Sequence, residues 1–423
     1  MREAMGDGTV AIFVGAALVT RSADTDFPFR QDSDFWYLTG YAHPNAIAVL
    51  RTDGGPAYTL YVEPRDPSAE TWTGYRPGVE GAVADHEADE AYECARFLRD
   101  LPELVGAVRR VYHVLGRSAE IDRCITETSE DLRRRSRQGF DPPEAIVDPR
   151  GIVHEMRLIK TADEIELMRR GAAISAEAHA AAAVLAHADR FEYELQAALE
   201  YTFRRRGARG PAYTTIVGGA SNATILHYIT NDRALASHSL VLIDAGCELE
   251  GYASDVTRTY PVGGRFTGVR REVYEIVLAA QLAALDVCRP GNTLPQIHDA
   301  AVKSLVEGLI ALDVLTGDTD ELIKNEKHRP YYMHGTSHWL GLDVHDVGSY
   351  RKDGAPRVIE PGMVFTVEPG LYFGEALEGI DERVRGIGVR IEDDIVITDD
   401  GHENLNAAIP KALDDVEAMV SQR

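Results

Sequence analysis

Short apolar runs alternate with amphipathic stretches through residues 1–150. The stretch 88–100 has helical spacing, whereas four apolar runs have the length of buried strands. These runs are Val10–Val19, Ala46–Arg51, Ala57–Val62 and Val111–Leu115. Alternation of this kind is typical of α/β domains. Two Pro-containing clusters, at 141–143 and 148–151, then interrupt the pattern and predict a domain boundary near residue 150.

The rest of the chain follows a different pattern. Thr161 and Glu164 are spaced as in a helix capping box, and an Ala-rich helix is expected over 172–188. From about Thr215 onward strand-like runs dominate, with one helical interval over roughly 270–310. We therefore predict an α/β N-terminal domain over 1–150 and an α+β domain over 151–423.

Composition narrows the class of protein. The formal charge of −24 opposes binding to nucleic acid or to anionic membrane surfaces, so we expect neither partner. No apolar stretch approaches the ~20 residues of a membrane span, and acidic residues before Val10–Val19 favour a strand over a targeting signal. The four cysteines are far apart and form no Cys-x-x-Cys pair. A soluble protein of the reducing cytoplasm is expected.

Two aspartates stand beside predicted strands. The apolar run Leu240–Asp244 ends in a carboxylate, which is costly to bury unless something pairs with it. Asp255 lies in a second predicted strand, Tyr252–Tyr260, so the two carboxylates are predicted to face each other across a hairpin. Taken singly, each aspartate has a simpler interpretation as a turn or cap residue.

Three of the fourteen histidines, His334, His338 and His345, fall within twelve residues. Glycines between them allow the backbone to approach a bound group closely. Histidine clusters of this density are typical of metal binding or proton transfer. For this segment alone, a His-rich surface loop is the alternative interpretation.

Two further predicted strands carry acidic residues. The apolar run Met363–Val367 leads into Glu368 and a Pro-Gly turn, and glutamate is seldom buried without a partner. In Val389–Ile397, Arg390 and Glu392 are predicted to project from the same face of one strand. A salt-bridged strand without further function explains that last segment equally well.

Taken together, these segments bring several acidic groups and a histidine loop to one predicted sheet face. Four carboxylates and one imidazole form an oxygen-rich site, and four negative charges balance two divalent cations. Manganese fits this site best, with cobalt, iron or zinc as alternatives. Two adjacent ions lower the pKa of a shared water and polarise a carbonyl, so the site predicts metal-assisted hydrolysis, with an amide as the natural substrate.

The order of these motifs resembles that of the pita-bread metallopeptidases, and among them the aminopeptidase P (Xaa-Pro aminopeptidase) family. The resemblance covers nearly the whole chain, because residues 30–40 look like the N-terminal signature of that family. It implies an aminopeptidase P-type domain with oligomer contacts over 1–150 and a pita-bread catalytic domain over 151–423. The motifs are Ile243-Asp244-Ala-Gly, Ser254-Asp255-Val-Thr-Arg-Thr, His334-Gly-Thr-Ser-His338-Trp, Val344-His345-Asp-Val-Gly, Val367-Glu368-Pro-Gly-Leu-Tyr372 and Gly388-Val-Arg390-Ile-Glu392-Asp-Asp.

The resemblance implies a ligand set for two metal ions. His338 and Glu368 would complete one metal site, and Asp244 would complete the other. Asp255 and Glu392 would bridge the two ions. Glu368 would also carry a proton from the bridging water to the leaving proline nitrogen.

Further residues are implied around the substrate. His345 would hydrogen-bond the substrate or the tetrahedral intermediate, whereas His227, His334, Tyr372 and Arg390 would line the pocket around the proline. The three histidines and Arg390 are the implied catalytic partners of Glu368. Without the resemblance, His227 is equally interpretable as a core histidine.

Trp72 matches a tryptophan that in the family reaches into a neighbouring subunit's active site. This match implies a homo-oligomer, either a dimer or a tetramer built from dimers. An ordinary buried tryptophan is the alternative. Thr336 departs from the family pattern, because bacterial members more often carry an apolar residue at this position.

The resemblance predicts an aminopeptidase that releases the first residue from peptides with proline second, by attack of a hydroxide bridging two divalent ions. An Xaa-Pro bond is a tertiary amide without an N–H, and a metal pair polarises it without that hydrogen. One alternative is a prolidase, which cuts only Xaa-Pro dipeptides. The alternative from a different class is a metal-free pita-bread module that binds peptides without cutting them, and a creatinase-like hydrolase lacks this ligand set.

Overall fold

The computed structural model describes residues 1–106 and 108–422 of the chain. The backbone separates into two compact units, Met1–Met156 and Arg157–Arg423. The change from one unit to the other falls within the helix Arg150–Leu158. Within the described part of the chain, every helix is too short or too polar to cross a lipid bilayer.

The N-terminal unit is built around one mixed sheet. Its strands are β1 Thr9–Val14, β2 Thr20–Ser22, β3 Thr25–Asp26, β4 Ile47–Arg51, β5 Tyr58–Val62, β6 Glu90–Glu93, β7 Arg110–His113 and β8 Ala145–Val147. Six of them form a sheet in the order β6-β5-β4-β1-β7-β8, and β2 and β3 form a separate hairpin. Strand β1 pairs antiparallel with β4 and parallel with β7, so the sheet is mixed.

Both faces of this sheet are covered, which explains the continuous apolar run in β1. Val10 and Ile12 pack into one hydrophobic cluster, whereas Ala11 and Phe13 pack into the cluster on the other face. The helices of this unit are α1 Arg2–Met5, α2 Ser33–Thr39, α3 Pro67–Thr73, α4 Gly78–His86, α5 Phe97–Gly106 and α6 Ala119–Arg134. Helix α7 Arg150–Leu158 begins in this unit and ends in the C-terminal unit.

The helix predicted over 88–100 is wrong in its first half. Residues Glu90–Glu93 form strand β6, which pairs parallel with β5, and the helix α5 begins only at Phe97. The edge pairing with β5 overrides a local spacing that resembled a helix.

The C-terminal unit contains several small sheets backed by long helices. Its strands are β9 Gly210–Pro211, β10 Ile216–Gly219, β11 Leu240–Asp244, β12 Cys247–Leu249, β13 Tyr252–Ala253, β14 Thr257–Pro261, β15 Arg351–Lys352, β16 Ala355–Pro356, β17 Val364–Val367, β18 Gly370–Tyr372, β19 Gly388–Arg390, β20 Asp393–Ile397 and β21 His402–Asn404. Its helices are α8 Ala162–Ala183, α9 Glu192–Arg205, α10 Val269–Leu285, α11 Leu294–Ala311, α12 Thr319–Lys324 and α13 Leu413–Ser421.

Sequence signals account for several of these helices. Thr161 and Glu164 form the predicted capping box at the start of α8. The single helical interval predicted over 270–310 is instead two helices, α10 and α11, and the second starts with its own capping box at Thr293. These helices pack on the sheets through one large hydrophobic core that includes Val241, Ile243, Val277 and Leu305.

Candidate metal centre

Antiparallel pairing of β11 with β14 positions the first two acidic residues. Asp244, the last residue of β11, lies opposite Thr257, whereas Asp255 precedes β14 by two residues. The predicted hairpin register between Asp244 and Asp255 is therefore wrong. Between the two strands the chain leaves to form β12 and β13 in a different sheet, and Ala245 N donates to Val256 O at 3.1 Å where it returns.

A glycine makes this return possible. A Cβ on Gly246 would lie 1.7 Å from the carbonyl oxygen of Ser254, so only glycine lets the two segments approach this closely. The close approach brings Asp255 beside the end of β11 although the two aspartates are not paired.

The backbone of β17 positions His338 and Glu368. Thr366 N donates to His338 O at 3.0 Å, and Glu368 N donates to Thr336 O at 2.9 Å, so the histidine loop runs beside this strand. His338 Nε2 consequently lies 3.4 Å from Asp255 Oδ2 and 3.6 Å from Glu368 Oε1. Its other ring nitrogen, Nδ1, is 3.0 Å from Trp339 O, which orients the imidazole.

Arg390 ends one strand and Glu392 lies in the break before the next strand, so the prediction of one continuous strand is wrong. Arg390 ends β19, which pairs with β18, and β20 starts after Glu392 and pairs with β17. The chain changes partner between them, and Glu392 N donates to Thr257 O at 3.1 Å. Both side chains still converge on Thr257: Arg390 Nε donates to its hydroxyl at 3.0 Å, and the hydroxyl donates to Glu392 Oε2 at 2.6 Å.

All five predicted metal ligands converge on a single cavity of about 570 Å³. Ligand atoms of Asp255, His338 and Glu392 lie within 4.8 Å of one another. The predicted ligands that line the cavity are Asp244, Asp255, His338, Glu368 and Glu392, and His227, His334, His345 and Arg390 line it as well. Side chains from widely separated segments therefore share one concave site.

The acidic groups of the cavity are too crowded to be ionised together without a compensating cation. Burial raises the pKa of Asp244 against the opposing charge of Arg390, and burial raises the pKa of Glu368 to about 7. Burial and the charge of Asp255 raise the pKa of Glu392 well above its usual range. A donor set of this kind, with oxygen and imidazole ligands and excess negative charge, fits divalent cations.

A hydrogen-bonded chain supports the cavity from behind. Arg390 donates from Nη2 to Asp244 Oδ2 at 2.6 Å and from Nη1 to the Tyr372 hydroxyl at 3.1 Å. The Tyr372 hydroxyl is also 2.8 Å from His334 Nε2. Tyr372 was predicted to line the pocket, but it is buried and contacts the lining residues His334 and Arg390 from outside the cavity.

The three remaining cavity histidines differ in their surroundings. Burial and the charge of Arg390 lower the pKa of His334 to about 3, so its imidazole is neutral. His345 is exposed, and its ring lies 4.2 Å from that of His338 between centroids. His227 is exposed in the cavity wall, which excludes the interpretation of His227 as a core histidine.

Three supporting residues were missed at the level of sequence. Tyr213 donates its hydroxyl to Asp244 Oδ1 at 2.6 Å, and no local pattern marks it. Asp394 accepts from Asp255 N at 3.0 Å and from Ser254 Oγ at 3.2 Å. Thr257, which joins Arg390 to Glu392, does have a signal, because it alternates with Asp255 and Thr259 in the strand pattern.

Trp72 and Thr336 complete the predicted set. Trp72 lies on α3 of the N-terminal unit and is 88% exposed, so it is not an ordinary buried tryptophan. Thr336 is buried, and its hydroxyl lies 2.8 Å from His298 Nδ1 and 2.7 Å from the Tyr332 hydroxyl. A polar residue at this position is therefore satisfied within the C-terminal unit.

Comparison with protein families identifies both parts of the chain. Residues 166–399 match the model of metallopeptidase family M24, and residues 1–112 match that of the aminopeptidase P N-terminal domain. The Xaa-Pro aminopeptidase of Escherichia coli strain K12 is 46% identical over 420 residues, which cover 99% of this chain and 95% of the relative. The Xaa-Pro aminopeptidase of Haemophilus influenzae is 44% identical and covers 95% of this chain and 90% of its own length.

Solved structures show the same architecture. The aminopeptidase PepP of Pseudomonas aeruginosa superimposes with a TM-score of 0.95 at 43% identity, covering 99% of this chain and 95% of that one. Zinc-substituted Escherichia coli aminopeptidase P in complex with product gives a TM-score of 0.94 at 45% identity, with 98% and 94% coverage. These matches confirm the predicted α/β N-terminal domain and α+β pita-bread domain. The chain therefore belongs to metallopeptidase family M24 and, within it, to the metal-dependent aminopeptidases of the aminopeptidase P type.

Proposed function

We propose that this protein releases the N-terminal residue from peptides whose second residue is proline, with two divalent metal ions bound in the cavity. The observation that carries the proposal is the convergence of the predicted ligands on one cavity of about 570 Å³. The proposed ligands are Asp244, Asp255, His338, Glu368 and Glu392. When bound, two divalent ions lower the pKa of a shared water and polarise the carbonyl of the scissile bond.

We propose manganese as the metal because the ligands are mostly carboxylate oxygens. Asp255 and Glu392 are the proposed bridging ligands, since both are buried and each lies beside a further candidate ligand. Asp244 keeps unused lone pairs although Tyr213 and Arg390 each donate to one of its oxygens. We propose that the free amino terminus of a peptide meets this carboxylate in the cavity, which would limit cleavage to the first residue.

Glu368 is the proposed proton carrier. In the metal-free protein burial raises its pKa to about 7. A carboxyl within reach of both the attacking water and the leaving nitrogen serves first as general base and then as general acid. Thr366 Oγ1 lies 3.5 Å from Glu368 Oε1, and His334 Nδ1 lies 3.6 Å from Glu368 Oε2. The carboxyl lies in the cavity wall, where it is proposed to take the proton of the attacking water and give it to the proline nitrogen.

Histidines and apolar residues of the wall are proposed to hold the peptide. His345 and His227 are exposed in the cavity and available as hydrogen-bond donors to the substrate. His334 is kept neutral by burial and Arg390, so its imidazole packs beside the proline without adding charge. The apolar part of the wall consists of Ile216, Leu226, Ile229 and Val344. Such a wall suits the nonpolar ring of proline.

An adjoining cavity favours an aminopeptidase over a prolidase. This second cavity has a volume of about 700 Å³ and shares His334, Gly335 and Ser337 with the metal cavity. We propose that residues following the proline extend toward this second cavity, which a strict dipeptidase does not need. The metal-free binding module is disfavoured because all five proposed metal ligands line the same cavity.

We further propose a homo-oligomer, a dimer or tetramer, in which Trp72 of one chain contacts the active site of another. The support is the 88% exposure of its large indole ring. Cytoplasmic location stays a prediction from the four free cysteines.

The proposed function is tested by incubating the purified protein with Xaa-Pro-Xaa tripeptides and Xaa-Pro dipeptides in the presence of Mn²⁺. We expect release of the first residue from the tripeptide, and an Xaa-Ala-Xaa tripeptide serves as the control. Cleavage of the dipeptide alone would identify a prolidase. Tight peptide binding without hydrolysis under any divalent metal would identify the binding module.

A further inference from the structure

A buried charge cluster lies directly beside the substrate-facing His345. Asp346, the next residue, accepts from Lys160 Nζ at 3.0 Å through Oδ2 and from Arg157 Nη2 through Oδ1. All three side chains are at most 3% exposed. Burying three charged groups carries a desolvation cost, which apolar side chains of similar volume would not have.

This cluster closes the loop 339–346, which carries His345. Asp346 N donates to Trp339 O at 2.8 Å, and Asp343 N lies 3.4 Å from Asp346 Oδ1. A Cβ on Gly341 would lie 2.1 Å from Asp346 Oδ2, so only glycine leaves room for this carboxylate. The loop is therefore folded around the Asp346 side chain.

The cluster also ties the loop to the rest of the C-terminal unit. Lys160 N donates to Gly362 O at 2.9 Å, next to the start of β17, and Gly341 O accepts from Ala253 N at 2.8 Å, next to Asp255. His345 itself is exposed and packs edge-on against the ring of His338. Its position in the cavity consequently depends on the loop rather than on contacts that bury its own side chain.

We propose that Asp346, held by Lys160 and Arg157, is a positioning residue that fixes His345 for contact with the substrate. The proposal rests on the proposed function, in which His345 hydrogen-bonds the peptide. Asp346 does not line the metal cavity, and its carboxylate pairs with Lys160 and Arg157, so we infer that it acts on the reaction through the histidine beside it. Displacement of a catalytic contact by about 1 Å lowers rates by about 100-fold.

The test is a double-mutant cycle with Asp346→Asn and His345→Ala. Assayed on a proline-second tripeptide with Mn²⁺, Asp346→Asn is expected to lower kcat by about 10-fold to 100-fold with unchanged metal content. In the His345→Ala background the same change is expected to lower kcat by less than about twofold. Equal losses in both backgrounds, or a loss of metal that explains the drop, would overturn the proposal.

Matched variants separate positioning from folding. Asp343→Asn removes a neighbouring carboxylate that also contacts Arg157 but is 37% exposed, and we expect little change in kcat. If Asp346→Asn does not fold, Lys160→Gln replaces it in both backgrounds, because Asp346 then keeps Arg157 as its partner. Asp346→Glu is expected to restore part of the activity that Asp346→Asn loses.

Hydrogen–deuterium exchange gives a readout that does not need activity. In Asp346→Asn, peptides covering 340–350 are expected to exchange faster, while those covering Leu240–Asp244 stay unchanged. Unchanged exchange in the loop would overturn the proposal even in an active enzyme. A parent protein that cleaves no Xaa-Pro peptide, yet shows this faster exchange in the variant, would overturn the proposed function and leave the positioning role supported.

Discussion

Arg390 donates from Nη2 to Asp244 Oδ2 at 2.6 Å, and the two residues are 146 positions apart in the chain. The same guanidinium contacts Thr257 and Tyr372 through its other nitrogens. One rigid side chain therefore orients a proposed metal ligand, a strand residue and the tyrosine behind His334. Lysine carries the same charge but cannot present this planar arrangement of donors.

Replacing Arg390 with lysine tests this arrangement. We expect Arg390→Lys to lower the free energy of unfolding by about 1–3 kcal/mol, since buried acceptors lose their donors. Peptidase activity is expected to fall at least tenfold, measured beside urea unfolding of the same samples. Arg383→Lys, at an exposed ion pair with Asp381, is the control. Equal losses of stability and activity at both positions would show that the planar donors of Arg390 have no special role.

Removing Asp255 is expected to abolish metal binding. Asp255 is buried and lies within ligand distance of His338 and Glu392, so Asp255→Ala removes a proposed bridge. Metal analysis should give about two ions per chain in the parent and a large loss in the variant. Free metal at about 100 times its dissociation constant should stabilise the parent by about 2.7 kcal/mol and the variant by much less. The exposed Asp399→Asn is the control, and a variant that keeps its metal would exclude Asp255 as a ligand.

The metal-free protein is expected to become less stable as the pH rises from about 5 to about 9. Burial raises the pKa of Glu368 from 4.5 to about 7. Burial opposes the charged form of His338, but the hydrogen bond and charge of Asp255 raise its pKa overall from 6.5 to about 9. In both cases the folded protein keeps a proton that the unfolded chain has released, so stability is lost as the pH rises through the folded values.

Urea midpoints in the presence of a chelator measure this dependence. We expect a higher midpoint at pH 5.5 than at pH 8.5, and saturating Mn²⁺ should stabilise the protein more at the higher pH, because protons compete with the metal. A urea midpoint that does not change with pH in the metal-free protein would show that Glu368 and His338 do not titrate as described.

Thr336→Val tests the polar bridge beneath the histidine loop. Valine has nearly the shape of threonine but leaves His298 Nδ1 and the Tyr332 hydroxyl without this partner. Loss of a buried hydrogen bond of this kind costs about 1–3 kcal/mol in the free energy of unfolding. Thr336→Ser keeps the hydroxyl, so its free energy of unfolding should fall less than that of Thr336→Val when both are measured by urea unfolding. A larger fall in the serine variant would contradict the proposed bridge.

Trp72→Ala tests the proposed contact between chains. A central interface tryptophan contributes about 2 kcal/mol or more to association, so sedimentation should show weaker self-association and assays should show lower activity. Metal content should not change, since Trp72 lies in the N-terminal unit. Leu115→Ala, at another exposed apolar residue of that unit, is the control. A monomeric parent with full activity would exclude the shared site.

Local patterns were enough to find the carboxylates, because β11 and β17 are short apolar strands that each lead into an acidic residue. The same patterns missed the break at 391–392, because a change of pairing partner depends on distant strands. They also missed Tyr213, which is 31 residues from Asp244 and has no periodic signal of its own. The roles of such residues depend on contacts with distant parts of the chain, and the local sequence carries no sign of them.

The register between β11 and β14 has an evolutionary consequence. Asp244 faces Thr257, and the hydroxyl of Thr257 serves both Arg390 and Glu392. An insertion or deletion that shifts the register of Thr257 by one residue would turn its side chain to the opposite face of the sheet. Length variation among descendants of this gene should therefore accumulate in surface turns such as 375–383 and be purged from this five-residue strand.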